Sequence, residues 1–191
     1  GADIWDKPYI LVAMRSMIAK SAIAVEESWM IIDAMRNAGV GNPAWPYLKQ
    51  ALMGTQMVVE KYVSDGAGKA IESMLIVMDS LQQASAVTGG ADTTAIQKSL
   101  AESPLYYFGG LKQVWADKFG NDNHLVLAVG STIDSAQGYV DSAQYRKALE
   151  EVGLLWPQIA SHPSKIGGRC SCAISFKEKG GEPIKAEIKY D

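Results

Sequence analysis

The chain has 191 residues, 48% hydrophobic and 20% charged, with a formal net charge of -3 at pH 7. That composition is globular rather than disordered, and the length is enough to bury a core without staples. Lys and Arg are scattered rather than clustered, which argues against a nucleic-acid partner, and two cysteines are too few for a disulfide framework.

Asp6 and Pro8 read as the cap and first turn of a helix in which Leu11, Met14, Ile18, Val25, Ile32 and Met35 recur at helical spacing, with Ser21 and Ser28 on the same stripe. Ile10, Met17, Ile23 and Ile31 widen that face. Arg15, Lys20, Glu26 and Glu27 interrupt the apolar run, so it is not a membrane span, which needs about 20 largely uncharged residues. Glu26, Glu27 and Ser28 read as a solvated face, as do Glu150 and Glu151. A chain opening on Gly1 is expected to be a processed form or to carry an expression remnant.

"NAGVG" (37–41) closes this helix. Asn42 then reads as a cap and Pro43 as the first helical residue, and Trp45, Leu48, Leu52, Thr55, Val59 and Tyr62 follow at alternating spacings of three and four. After "SDGAG" (64–68) a third helix carries Ile71, Met74, Met78 and Leu81 and stops at "TGG" (88–90). Asp92 caps a short helix to about Glu102. Ser103-Pro104 opens another, with Phe108, Leu111, Trp115 and Phe119 on one face and Gly109-Gly110 as its weak point.

"GNDN" (120–123) is a turn before a helix from about 124 to 140 that presents Leu125, Val129, Ile133, Ala136 and Val140. Asp141 with Gln144 has the spacing of a capping box for a last helix carrying Tyr145, Leu149, Val152, Leu155 and Ile159, which Pro157 should kink or shorten. From Arg169 the period changes to two. Cys170, Cys172, Ile174 and Phe176, then a "KGGE" turn, then Ile184, Ala186, Ile188 and Tyr190 form a β-hairpin pattern whose apolar face should rest on the helices or on a partner. The predicted fold is mainly α: an antiparallel bundle of about six or seven helices in 1–166, with a β-hairpin extension in 167–191.

No motif for catalysis stands out. "SDGAGKA" (64–70) has Val63 where a phosphate-binding loop needs its first glycine and Ala70 where it needs Ser or Thr, and a helix leads into it, so it reads as a helix-helix turn. "GVG" (39–41) likewise follows no strand. His124 and His162 are the only histidines and neither has metal-ligand spacing. Cys170 and Cys172 fall on the same side of a strand; burial on the hairpin's apolar face is favoured over a redox pair. No nucleophile elbow is present. Met74 and Met78 fit core packing. Trp5, Trp45, Trp115 and Trp156 lie near predicted helix ends and Trp29 in mid-helix, as lids on the core ahead of interface anchors. The expectation is no catalytic residue, no cofactor and no metal.

"AWPYLKQAL" (44–52), followed by the periodic helix to Tyr62, resembles the PsbQ family, the small extrinsic subunits on the lumenal side of photosystem II, in which a Trp-Pro pair opens a helix of a four-helix bundle. "STIDSAQGYVDSAQYRKALEEVGLLWPQIA" (131–160) is similar to the end of that family's penultimate helix, its linker and its final helix. Together they cover under a third of the chain. The second helix departs from the pattern, with "QALMGTQMVV" where the family tends to place arginines, and the segment 92–119 and the hairpin have no counterpart in a minimal four-helix bundle.

The resemblance implies a non-enzymatic subunit in the thylakoid lumen of a plastid, peripheral to the membrane and not spanning it. It would dock on photosystem core subunits or other extrinsic subunits and stabilise or shield the oxygen-evolving centre. Trp45, Tyr47 and Lys49, within the matching motif, are the candidate partner contacts. Two other readings stand beside it. The wide Met-rich faces of the first and third helices suit a ligand- or pigment-binding helical module, and Cys170 with Cys172 would carry an enzymatic one.

Overall fold

A computed structural model describes residues 25–64 and 67–155, apart from a few side chains, and the backbone alone of 171–177 and 183–189. Six helices lie among the described residues: α1 Val25–Ala38, α2 Trp45–Ser64, α3 Ala67–Ala86, α4 Thr94–Phe119, α5 His124–Asp141 and α6 Tyr145–Gly153. Short connections join them into a mainly helical bundle, with Trp115, Phe108, Ile31, Leu48, Ile71 and Met74 the largest fully buried side chains.

In α1 the buried positions are Glu27, Ile31 and Met35, while Val25 is exposed and Gly39, at φ 82°, follows the helix end. The upstream part of this predicted helix lies outside the described residues. Glu27 corrects the sequence expectation: it is fully buried rather than on a solvated face. Its position explains this, because residues 27, 31 and 35 are one turn apart and share the face that carries Ile31 and Met35 inward.

The cap before α2 forms as expected, with the Ala44 N–H donating to Asn42 Oδ1 at 2.8 Å, but regular helix begins at Trp45 rather than Pro43. Pro43 and Ala44 are taken up by the turn, which closes with the Trp45 N–H on the Asn42 carbonyl at 2.9 Å. Ala44, Leu48, Ala51, Thr55 and Val58 are the buried stripe; Leu52 and Val59 are half-buried at its edge. α3 buries Ile71, Met74, Met78 and Leu81 as the periodicity predicts.

α2 and α3 pack closely where Gly54 meets Val77, since a Cβ on Gly54 would lie 2.6 Å from Val77 Cγ2. Two effects of Gly54→Ala therefore oppose one another. Helix propensity favours Ala by about 1 kcal/mol, whereas overpacking a close helix contact costs about 1–3 kcal/mol. Net destabilisation is expected, with recovery when Val77→Ala is added. A chemical-denaturation midpoint that rises in the single variant would show that the helices are not in contact there.

α4 is one helix and not the two expected. Pro104 sits inside it, removing the donor that Leu100 C=O would have received. The interruption costs about 3 kcal/mol, but Ile96, Leu100 and Ala101 before it and Leu105, Phe108 and Trp115 after it all enter the same core. Tertiary burial on both sides outweighs the local break.

α5 starts on a working cap, Asn123 Oδ1 accepting from the Leu125 and Val126 N–H groups at 2.9 and 3.4 Å. Leu125, Val129, Ala136 and Val140 are buried as predicted. The capping box expected from Asp141 and Gln144 does not form. α5 runs through Asp141, whose carboxylate accepts from Gln137 Nε2 at 2.9 Å, and Gln144 bonds Ser142 Oγ instead. In α6, Tyr145, Leu149 and Val152 face inward, and Arg146 forks onto Asp79 of α3 through Nε at 2.6 Å and Nη2 at 3.4 Å while also meeting Glu150. Trp156, Pro157 and Ile159 lie outside the described residues.

The backbones of β1, Ser171–Lys177, and β2, Pro183–Lys189, run antiparallel with Ser171 opposite Lys189. The turn between them, Cys170 and the side chains of both strands lie outside what is described.

Candidate docking site

The three predicted contacts all lie in the first turns of α2. Trp45 and Lys49 are one helical turn apart and share a face; Tyr47, two residues on, points elsewhere. Trp45 and Tyr47 are half-buried against the core and Lys49 is exposed. The structure thus brings Trp45 and Lys49 together and separates Tyr47 from them. The same row continues through Met53 and Met57, which are 60% and 42% exposed. Across the Gly54–Val77 contact, Ile76 of α3 is 53% exposed, beside Met53 because each neighbours one partner of that contact on antiparallel helices. Sequence reading missed these three, since a stripe of alternating threes and fours shows the buried face and not what flanks it.

At the end of α1 lies a groove of about 550 Å³ between α1 and α4. Its floor is Met30, Ala34, Ala38 and Ile96, and its rim carries Asp33, Asn37, Asn42 and Asp92. The two helices run antiparallel: Asp92 and Ile96 lie opposite the end of α1, and further along Ser99 Oγ and Ser103 Oγ donate to Glu27 Oε1 at 2.7 and 3.2 Å. That clamp lies about one helical turn beyond Met30 and Ile96 of the groove's lining.

The wall formed by residues 90–92 is firmly held. Buried Thr93 donates to the Leu81 carbonyl at 2.6 Å, its N–H bonds Ser85 Oγ at 2.8 Å, and Gln97 Nε2 donates to its hydroxyl at 3.0 Å. A Cβ on Gly90 would fall 2.2 Å from the Ala84 carbonyl oxygen, so only glycine permits this path.

Asp92 Oδ1 accepts from the Thr94 hydroxyl at 2.6 Å and the Thr94 N–H at 3.0 Å, and these bonds hold its carboxyl below the ordinary value of 3.8, the hydroxyl contributing most. A depressed folded-state pKa adds stability above the unfolded value that is lost as pH falls through the folded one. Asp92→Asn, which keeps an acceptor for the Thr94 N–H, should therefore flatten the acid limb of the stability profile, and Asp92→Ala should lower stability at neutral pH. An unchanged acid limb in the Asn variant would dismiss Asp92 as its source.

Among the described residues no group of three or more His, Cys, Asp and Glu is placed to hold a metal ion, and no helix is long and apolar enough to cross a membrane. His124 is an exposed first residue of α5, and "SDGAGKA" joins α2 to α3 rather than following a strand. His162 lies outside the described residues. Comparison with family models, curated proteins and solved structures found no match to this chain.

Proposed function

We propose that this chain is a non-enzymatic subunit that docks on a larger membrane complex, of the photosystem II kind approached from the thylakoid lumen, and stabilises or shields it. The observation that supports docking is the row of Lys49, Met53 and Met57 on α2 with Ile76 beside it. Methionines and other apolar side chains on an otherwise polar helical face are the composition of an interface core. The resemblance of residues 44–62 and 131–160 supports the choice of complex.

The test is co-sedimentation with native thylakoid membranes. The wild-type chain should pellet with photosystem II at low salt and wash off at high salt, as screened electrostatic docking does. Met53→Glu with Met57→Glu should stay in the supernatant with an unchanged melting temperature. Wild-type protein recovered only in the soluble fraction at low salt would defeat the reading. A ligand-binding module is the second reading, favoured by the α1–α4 groove; visible absorbance or an extractable pigment in protein purified from its source would favour it over docking.

A further inference from the structure

The groove between α1 and α4 is separate from the methionine row, and its chemistry is different. We propose that it binds a short segment of a partner protein in which a Lys or Arg side chain is flanked by apolar residues. The inference rests on the docking reading and names a second contact within it.

Shape comes first. Ala34 and Ala38 line the groove together with Ala91, and side chains that small cannot fill the gap between the two segments. The resulting space of about 550 Å³ lies within the range of preformed binding pockets. It is also held open in advance, because the Thr93 hydrogen bonds and the close path of Gly90 fix the wall at 90–92. Little ordering then remains to oppose binding.

Charge selects the occupant. Asp33 and Asp92 bring two carboxylates to the rim, Asn37 and Asn42 add amides, and among the described residues no Lys or Arg lines the groove. Arg36 stands 3.8 Å from Asp33, but both side chains are about 70% exposed, so the pair is loose and replaceable. The N-cap of α4 is Thr93 rather than the expected Asp92, whose turn onto Thr94 engages only Oδ1. An acidic segment would be repelled, and a purely apolar one would strip water from the rim carboxylates without replacing it. A Lys or Arg stem lies along an apolar floor while its head reaches a polar rim, and neighbouring apolar residues fill what is left.

The probe is the acetylated, amidated tetrapeptide Leu-Arg-Ala-Leu, titrated into the full chain, with the same peptide carrying citrulline in place of Arg as its uncharged match. Methyl resonances of Met30, Ala34, Ala38 and Ile96 should shift, and the citrulline peptide should bind about threefold more weakly or worse, the scale of an exposed charge pair. Asp33→Asn with Asp92→Asn should abolish that difference. Ala34→Leu, which fills the groove from a half-buried position, should prevent binding while leaving the melting temperature unchanged. Equal binding of the two peptides, shifts centred on Met53 and Met57, or no shift at millimolar peptide would each overturn the proposal. Co-sedimentation separates the two readings. If Ala34→Leu protein pellets with membranes as wild type does, the groove proposal fails and docking stands; if the peptide binds but wild type does not pellet, the groove stands and the photosystem reading fails.

Discussion

Trp115→Ala should lower the unfolding free energy by about 3–5 kcal/mol, the usual cost of truncating a buried aromatic. At this chain length that is a fall of about 10 °C in melting temperature. The expectation goes further than a cavity, because of where Trp115 sits. The second half of α4 follows Pro104 and contains Gly109 and Gly110, so local preference is set against it by about 3 kcal/mol for the proline and about 1 kcal/mol for each glycine. Burying a large aromatic removes roughly 150–250 Å² from water, worth about 4–6 kcal/mol at 25 cal/mol per Å². Phe108 and Trp115, both fully buried, are therefore what overcomes that local preference. Removing Trp115 should cost helical signal in far-UV circular dichroism below the melting transition as well as stability. Full helicity at reduced stability would mean that the segment holds its shape without the anchor.

The same competition explains what was legible in the sequence. The apolar rows of α3 and α5 were readable because local signals and packing agree: Met74 and Met78, or Leu125 and Val129, are helix-compatible residues at helical spacing and are buried. At Pro104 the two disagree, and a reading from local chemistry ends a helix that the core carries through. Gln144 shows the reverse case, a good capping pattern defeated because α5 continues one residue further and uses Asp141. For the candidate sites, Trp45 and Lys49 were legible as parts of a motif, and Asn42 as a cap. The groove was not, since its two sides come from segments about 60 residues apart, and no periodicity in either announces that small side chains will face each other. Glu27 was misread for a related reason: the charge suggested solvent, and the serines that receive it are on α4.

Those serines define the other large effect. Ser99→Ala with Ser103→Ala should cost about 2–4 kcal/mol, the scale of leaving a buried polar group without its hydrogen-bond partners, although both substitutions are small. Glu27 Oε1 takes both hydroxyls, and Oε2 is buried without a hydrogen-bond partner. Without the serines the whole carboxylate would be buried with nothing donated to it. Ser99 should account for the larger part, since its bond is shorter and the single proton of Ser103 is shared with the Ser99 carbonyl at 2.9 Å. Glu27→Met, of similar length and without charge, should be neutral or stabilising in the wild-type background, and it should remove most of the cost of the two alanines when combined with them. A thermodynamic cycle over the three positions measures this coupling; simple additivity would show that the carboxylate reaches water. Stability alone does not exhaust the prediction. The clamp ties α4 to α1, so Glu27→Met should not lower the melting temperature but should broaden the methyl resonances of Ala34 and Ile96, whereas sharp, unshifted resonances would mean that apolar packing fixes the register by itself.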